Sequence, residues 1–147
     1  MSGTTWSVAL AKTAVLDLLG AADWPGSIPQ LSWGTPRTLE RECVIIGDVS
    51  NSDQEWAGIG DRRRQEDYRI ELWVGVNKAG DSQREATVRA VELFAVIEAV
   101  LRANSNLGGA LPAGQWSEIK NPSLEEFPTD GGYAAVVQSE IRVRARI

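Results

Sequence analysis

The sequence predicts an α+β fold: a mainly antiparallel sheet with two principal helices packed on one face, in the order helix, strands, helix, hairpin. Three observations carry that expectation. Residues 5 to 19 set Val8, Ala11, Val15, Leu18 and Leu19 at helical spacing, and a second apolar helical pattern follows a capping signal at Ser82. Tyr68, Ile70, Leu72, Val74 and Val76 alternate with a period of two. Finally, Asp130-Gly131 separates two extended segments, the second of which alternates to the last residue. A chain of 147 residues suits one domain spanning 1–147, and 43% hydrophobic with 24% charged residues is the composition of a soluble globular protein.

In chain order, the first helix is interrupted on its apolar pattern by Lys12 and Asp17 and stopped by Gly20. Trp24-Pro25-Gly26-Ser27-Ile28-Pro29 is turn chemistry, because two prolines fix φ and remove donors. Arg41 to Gly47 reads as a short strand around Val44, Ile45 and Ile46, with Leu31 to Trp33 as a possible extra one. From Gly47 to Asp61 the residues are polar and rich in Ser, Asn, Asp and Gly, which predicts a long loop holding a solitary Trp56. The strand around Tyr68 to Val76 comes next. Ser82-Gln83-Arg84-Glu85 is a capping box that opens a helix to about Ala103, with Glu85–Arg89 and Glu98–Arg102 as surface pairs. Its apolar surface, from Val88 to Leu101, is wide enough to need two partners, the sheet and either the first helix or another subunit. After a glycine-rich turn region, Gln115 to Phe127 is a strand that Pro122 confines to an edge or a bulge. In the final arm Tyr133, Ala135, Val137, Ser139, Ile141, Val143, Ala145 and Ile147 share one face, with Gln138, Glu140, Arg142, Arg144 and Arg146 on the other.

Several function classes are disfavoured. A formal charge of -5 would repel nucleic acid from the chain as a whole. The absence of histidine removes the commonest metal ligand and general base. Cys43, the single cysteine, rules out an intramolecular disulfide or a CxxC site, and its apolar neighbours suit a buried thiol. No stretch approaches the roughly 18 apolar residues of a membrane span, so a cytosolic protein without a signal peptide is expected. Leu107 to Gly114 lacks the Lys-Ser/Thr end of a phosphate loop, Gly58-Ile59-Gly60 lacks a third glycine, and no GxSxG segment exists. Acidic pairs such as Glu40 with Glu42, or Glu125 with Glu126, suit either a solvated surface or a divalent ion. No catalytic, cofactor-binding or metal-binding residue is assigned.

Interaction residues are the better candidates. Trp56, alone among polar neighbours, either folds back over its own sheet or inserts into a partner. Arg142, Arg144 and Arg146 stand about 6.6 Å apart along one strand face, forming either a solvated face, a contact with acidic groups of a neighbour, or a basic rim toward DNA. Arg62, Arg63 and Arg64 form a second basic cluster open to the same readings.

The order of these parts resembles the tail terminator proteins of long-tailed bacteriophages: an N-terminal helix, a strand pair around a polar segment, a long helix after Asp81-Ser82, Leu107-Gly108-Gly109, and a Thr129-Asp130-Gly131-Gly132 hairpin ending in a basic strand. The resemblance covers nearly the full length and rests on element order and short turns. It implies a non-enzymatic virion protein, located at the tail and neck junction and in the host cytoplasm during assembly. Subunits would form a hexameric ring on the last ring of tail tube protein, end tube polymerisation, and present a surface to the head-side neck or connector protein. Genomic DNA would pass through the lumen without sequence-specific binding, and no cofactor or membrane is implied. Another neck or tail-completion protein, or a metal-dependent carboxylate enzyme, stand as the alternatives.

Overall fold

The computed structural model describes residues 8–56, 64–109 and 116–146. Helix α1 spans Val8–Gly20, followed by strands β1 (Gln30–Trp33), β2 (Glu42–Trp56) and β3 (Arg64–Ala79). Helix α2 (Gln83–Ala103) and a single 3-10 turn at Leu107–Gly109 lead to the hairpin strands β4 (Trp116–Thr129) and β5 (Gly132–Arg146). One five-stranded sheet results, in the order β1-β2-β3-β5-β4. Only β1 and β2 run parallel; every other neighbour is antiparallel. The short connection from 34 to 41 can make this parallel return because β1 has only four residues to retrace, about 13 Å.

Alternation places one set of side chains under the helices. Val44, Ile46, Ile70, Leu72, Val74, Val137, Ile141 and Val143 are buried there against Ala11, Val15 and Leu19 of α1 and Ala90, Leu93, Phe94, Ile97 and Leu101 of α2. The Ser82 hydroxyl accepts from the Glu85 amide at 3.1 Å, so α2 begins where the capping signal placed it. Val88 and Val91 on α2 are 55% and 49% exposed, so part of the wide apolar surface has no cover among the described residues. Arg89 does not join Glu85. Its guanidinium grips Glu42 with two hydrogen bonds of 2.8 and 3.0 Å, reaches Glu92 at 2.7 Å, and donates to the carbonyls of Pro25 and Ser27.

The reading of residues 47 to 61 as a loop is overturned over 47–56, where β2 continues and Trp56 pairs with Arg64 of β3; 57–61 lies outside the described residues. The sequence misleads because β2 takes two bulges. Between Ile46 and Val49, and again between Ser50 and Asp53, β2 advances three residues while β3 advances two. Each bulge breaks the period-two signal, while the ladder to β3 still satisfies the polar backbone.

Pro122 is accommodated in both ways anticipated, since β4 is an edge strand and its register slips between Lys120 and Ser123. The turn from β4 to β5 depends on two glycines. Gly131 has φ +81°, and a Cβ on Gly132 would fall 2.0 Å from the Lys78 carbonyl oxygen of β3.

Candidate functional site

The helices cover one face of the sheet; the side chains on the other divide into an ionic half and an apolar half. The division follows from register. Toward the open end of β5, Trp116, Arg144 and Asp67 lie side by side on β4, β5 and β3, followed by Glu118, Arg142 and Arg69, then Lys120, Glu140 and Glu71. Toward the β4–β5 turn the same face carries Ile45, Trp73 and Gln138, then Cys43, Gly75, Val136 and Glu125, then Ala134 and Phe127.

In the ionic half, like charges stand directly opposite each other, Arg69 beside Arg142 and Glu71 beside Glu140. Such pairs repel, and the contacts run diagonally instead. Arg142 holds Asp67 with hydrogen bonds of 3.1 and 2.8 Å, and Arg69 reaches Glu140 at 3.2 Å. The hydrogen bonds from Arg142 pull the Asp67 carboxyl below its ordinary range, assisted by the charges of Arg142 and Arg144, and Asp67 raises Arg142 in turn. Arg144 Nε approaches Asp67 at 3.5 Å but finds no hydrogen-bond acceptor among the described residues. Both guanidinium groups lie 5.8 Å from the centre of the Trp116 ring, within cation–π range.

The apolar half forms an open cavity of about 690 Å³. Cys43, Ile45, Trp73, Gly75 and Val136 floor it, and Phe127 and Leu39, 40% and 57% exposed, stand at its edge. Cys43 itself is buried, and burial pushes its thiol above the ordinary value, as suits a packing residue and not a nucleophile. Glu40, Asp48, Glu71 and Glu125 border the cavity, with Arg41. Among the described residues no cluster of His, Cys, Asp and Glu is placed to hold a metal ion.

On the helix side, Lys12 is 7% exposed and donates to the Gly47 carbonyl at 2.8 Å, with its ammonium 4.7 Å from the centre of the Trp33 ring. It therefore serves a carbonyl in the first β2 bulge, and desolvation lowers its pKa against the opposing pull of Asp48.

The residues singled out from sequence are distributed unevenly. Arg142 and Arg144 come together on the ionic half, engaged with Asp67 of their own chain. Trp56 and Arg64 face each other in register at the far ends of β2 and β3, and the Arg146 backbone pairs with Gln65. Arg62 and Arg63 lie outside the described residues. The cavity was not anticipated. Its signal was present as a change along each strand, since the outward positions of β5 pass from Ala134 and Val136 to Arg142 and Arg144.

No protein-family model matches the chain, and no curated protein matches it. Among solved structures, the fold is similar to a chain from the virion of a native gene transfer agent particle, at 11% sequence identity, covering 89% of this chain and 84% of that one with a TM-score of 0.48. A likeness of that degree assigns neither ancestry nor role.

Proposed function

We propose that the chain is a structural, non-enzymatic protein of a phage-like virion, acting as a tail terminator. Copies form a ring on the end of the tail tube, stop its polymerisation and offer a joining surface to the head-side neck. The observation that carries this reading is the uncovered sheet face. A sheet that among the described residues carries its helices on one side, with an apolar cavity bordered by carboxylates on the other, is suited to meet another protein surface. The order of elements on which the resemblance rests is supported by α1, the β2–β3 pair, the Ser82 cap of α2, the Leu107–Gly109 turn and the β4–β5 hairpin. An acidic chain around a lumen would also let DNA pass without adhering.

Negative-stain imaging of the purified protein, alone and mixed with tail tubes, tests the proposal. Rings on tube ends, with tubes of uniform length, are the expected result. A protein that stays monomeric in both settings and leaves tube length unchanged refutes it. Stoichiometric binding of Mg²⁺ or Mn²⁺ would favour the carboxylate enzyme instead.

A further inference from the structure

Four carboxylates on the strands of this sheet are held by a cation, whereas those that border the cavity form no ion pair among the described residues, Asp48 feeling only the more distant charge of Lys12. Glu42 is held by Arg89, Asp67 by Arg142, Glu140 by Arg69 and Glu118 by Lys120. Among the described residues no ion pair engages Glu40, Asp48, Glu71 or Glu125, although they border one apolar cavity around Trp73. Such a rim over an apolar floor fits a segment that is basic and carries a large apolar side chain.

The chain has such a segment, and the topology puts its ends far from the cavity. The cavity lies at the end of the sheet that holds the β4–β5 turn. The β2–β3 connection leaves Trp56 and returns at Arg64, at the opposite end, with Arg62 and Arg63 in its sequence. A two-fold dimer through the cavity would set one acidic rim against another. A patch at one end that complements a segment at the other end gives instead a head-to-tail contact, the kind that closes rings. We infer that a second copy of this chain occupies the cavity, delivering the Trp56–Arg64 segment of its β2–β3 connection to the carboxylate rim. The inference rests on the ring reading above and assigns the acceptor surface within it.

Charge exchange is the test. One variant carries Glu40→Lys and Glu125→Lys, both at exposed side chains with no side-chain partner among the described residues, and the other carries Arg62→Glu and Arg63→Glu. Native mass spectrometry and sedimentation read assembly, on capped tails if the free protein is monomeric, and thermal melting checks that each variant is folded. Each variant alone should assemble roughly tenfold or more weakly than the parent. An equimolar mixture should recover assembly, since every contact can then pair opposite charges in an alternating ring. The chain carrying all four changes should recover it as well. If a lysine variant melts early, Glu40→Gln with Glu125→Gln takes its place, and weaker assembly is again expected. Parental rings together with unaffected variants, or with no recovery on mixing, overturn the inference and leave the ring standing. A parent that never assembles, free or on tails, removes the ring reading and the inference with it.

Discussion

Replacing Arg89 by alanine should be among the most damaging single changes to the subunit. Arg89 joins three parts of the chain: α2, the start of β2 through Glu42, and the Trp24–Pro29 turn through two carbonyl oxygens. Its side chain is 13% exposed and that of Glu42 21%, so removal leaves a largely desolvated carboxylate and two carbonyls without their donor. Hydrogen bonds to charged groups contribute about 1.5–3 kcal/mol each at best, and breaking a buried pair costs about 3–5 kcal/mol. The remaining solvent access brings the expected loss to about 3 kcal/mol. With an unfolding entropy of about 0.3 kcal/mol per kelvin for a chain of this length, Tm should fall by about 10 °C. Arg89→Lys keeps the charge but not the fork, and should lose about half as much. Urea unfolding of both variants, in a double-mutant cycle with Glu42→Gln, measures the coupling. A loss below about 1 kcal/mol for Arg89→Ala, or no coupling to Glu42, would refute the assignment of Arg89 as the joint between these elements.

Two further predictions concern the hairpin and the ionic half of the sheet. Gly132→Ala should cost about 3 kcal/mol or more, because the new Cβ meets the backbone of Lys78, whereas Gly131→Asn, at a positive φ with open space around it, should cost under about 1 kcal/mol; thermal melts separate the two. Hydrogen bonds from Arg142 hold the Asp67 carboxyl below its ordinary 3.8 in the folded state, so its contribution is full above that value and is lost as the pH falls through the folded value. Acid titration of stability should accordingly be shallower for Asp67→Asn than for the parent, and equal slopes would show that the pair does not form in solution.

How much of this was legible in the sequence depended on whether the governing interaction was local. The Ser82 cap, the alternation of β3 and the Asp130-Gly131 turn are decided by neighbours a few residues away, and each was found in place. The constraint on Pro122 was local too. By contrast, the polar part of β2 becomes strand because β3 supplies a ladder and the bulges absorb two extra residues, neither of which alters local propensity. Lys12 looked like a break in an apolar helix face, yet its ammonium is buried against a carbonyl 35 residues away. Arg89 had a plausible partner in Glu85 and chose Glu42, 47 residues away, because the sheet brings that carboxylate within reach of both guanidinium edges. The arginine face of β5 was correctly separated from the core. Its diagonal pairing with Asp67 needed the β3–β5 register, which no single strand contains.

The contrast between the two halves of the outer sheet face bears on how strongly copies of this chain can associate. In the ionic half Asp67, Arg142, Arg69 and Glu140 are already paired within the subunit, so a partner placed over them would gain little and would have to desolvate pairs already formed. The apolar half has the opposite character, with an open hydrophobic floor and carboxylates that form no ion pair among the described residues. Yet the cavity occupies only one end of one sheet face, whereas stable interfaces bury about 800 Å² on each partner. A single contact through it should therefore be weak, with Val88 and Val91 of α2 available to enlarge it only if the neighbour reaches around the helix side. Closure changes this balance, because in a ring every copy makes the contact twice and the last contact forms without a further loss of free translation. Weak pairs and a stable closed ring are thus compatible. The physical consequence is a steep dependence of assembly on local concentration, which a tube end holding several copies in register would supply.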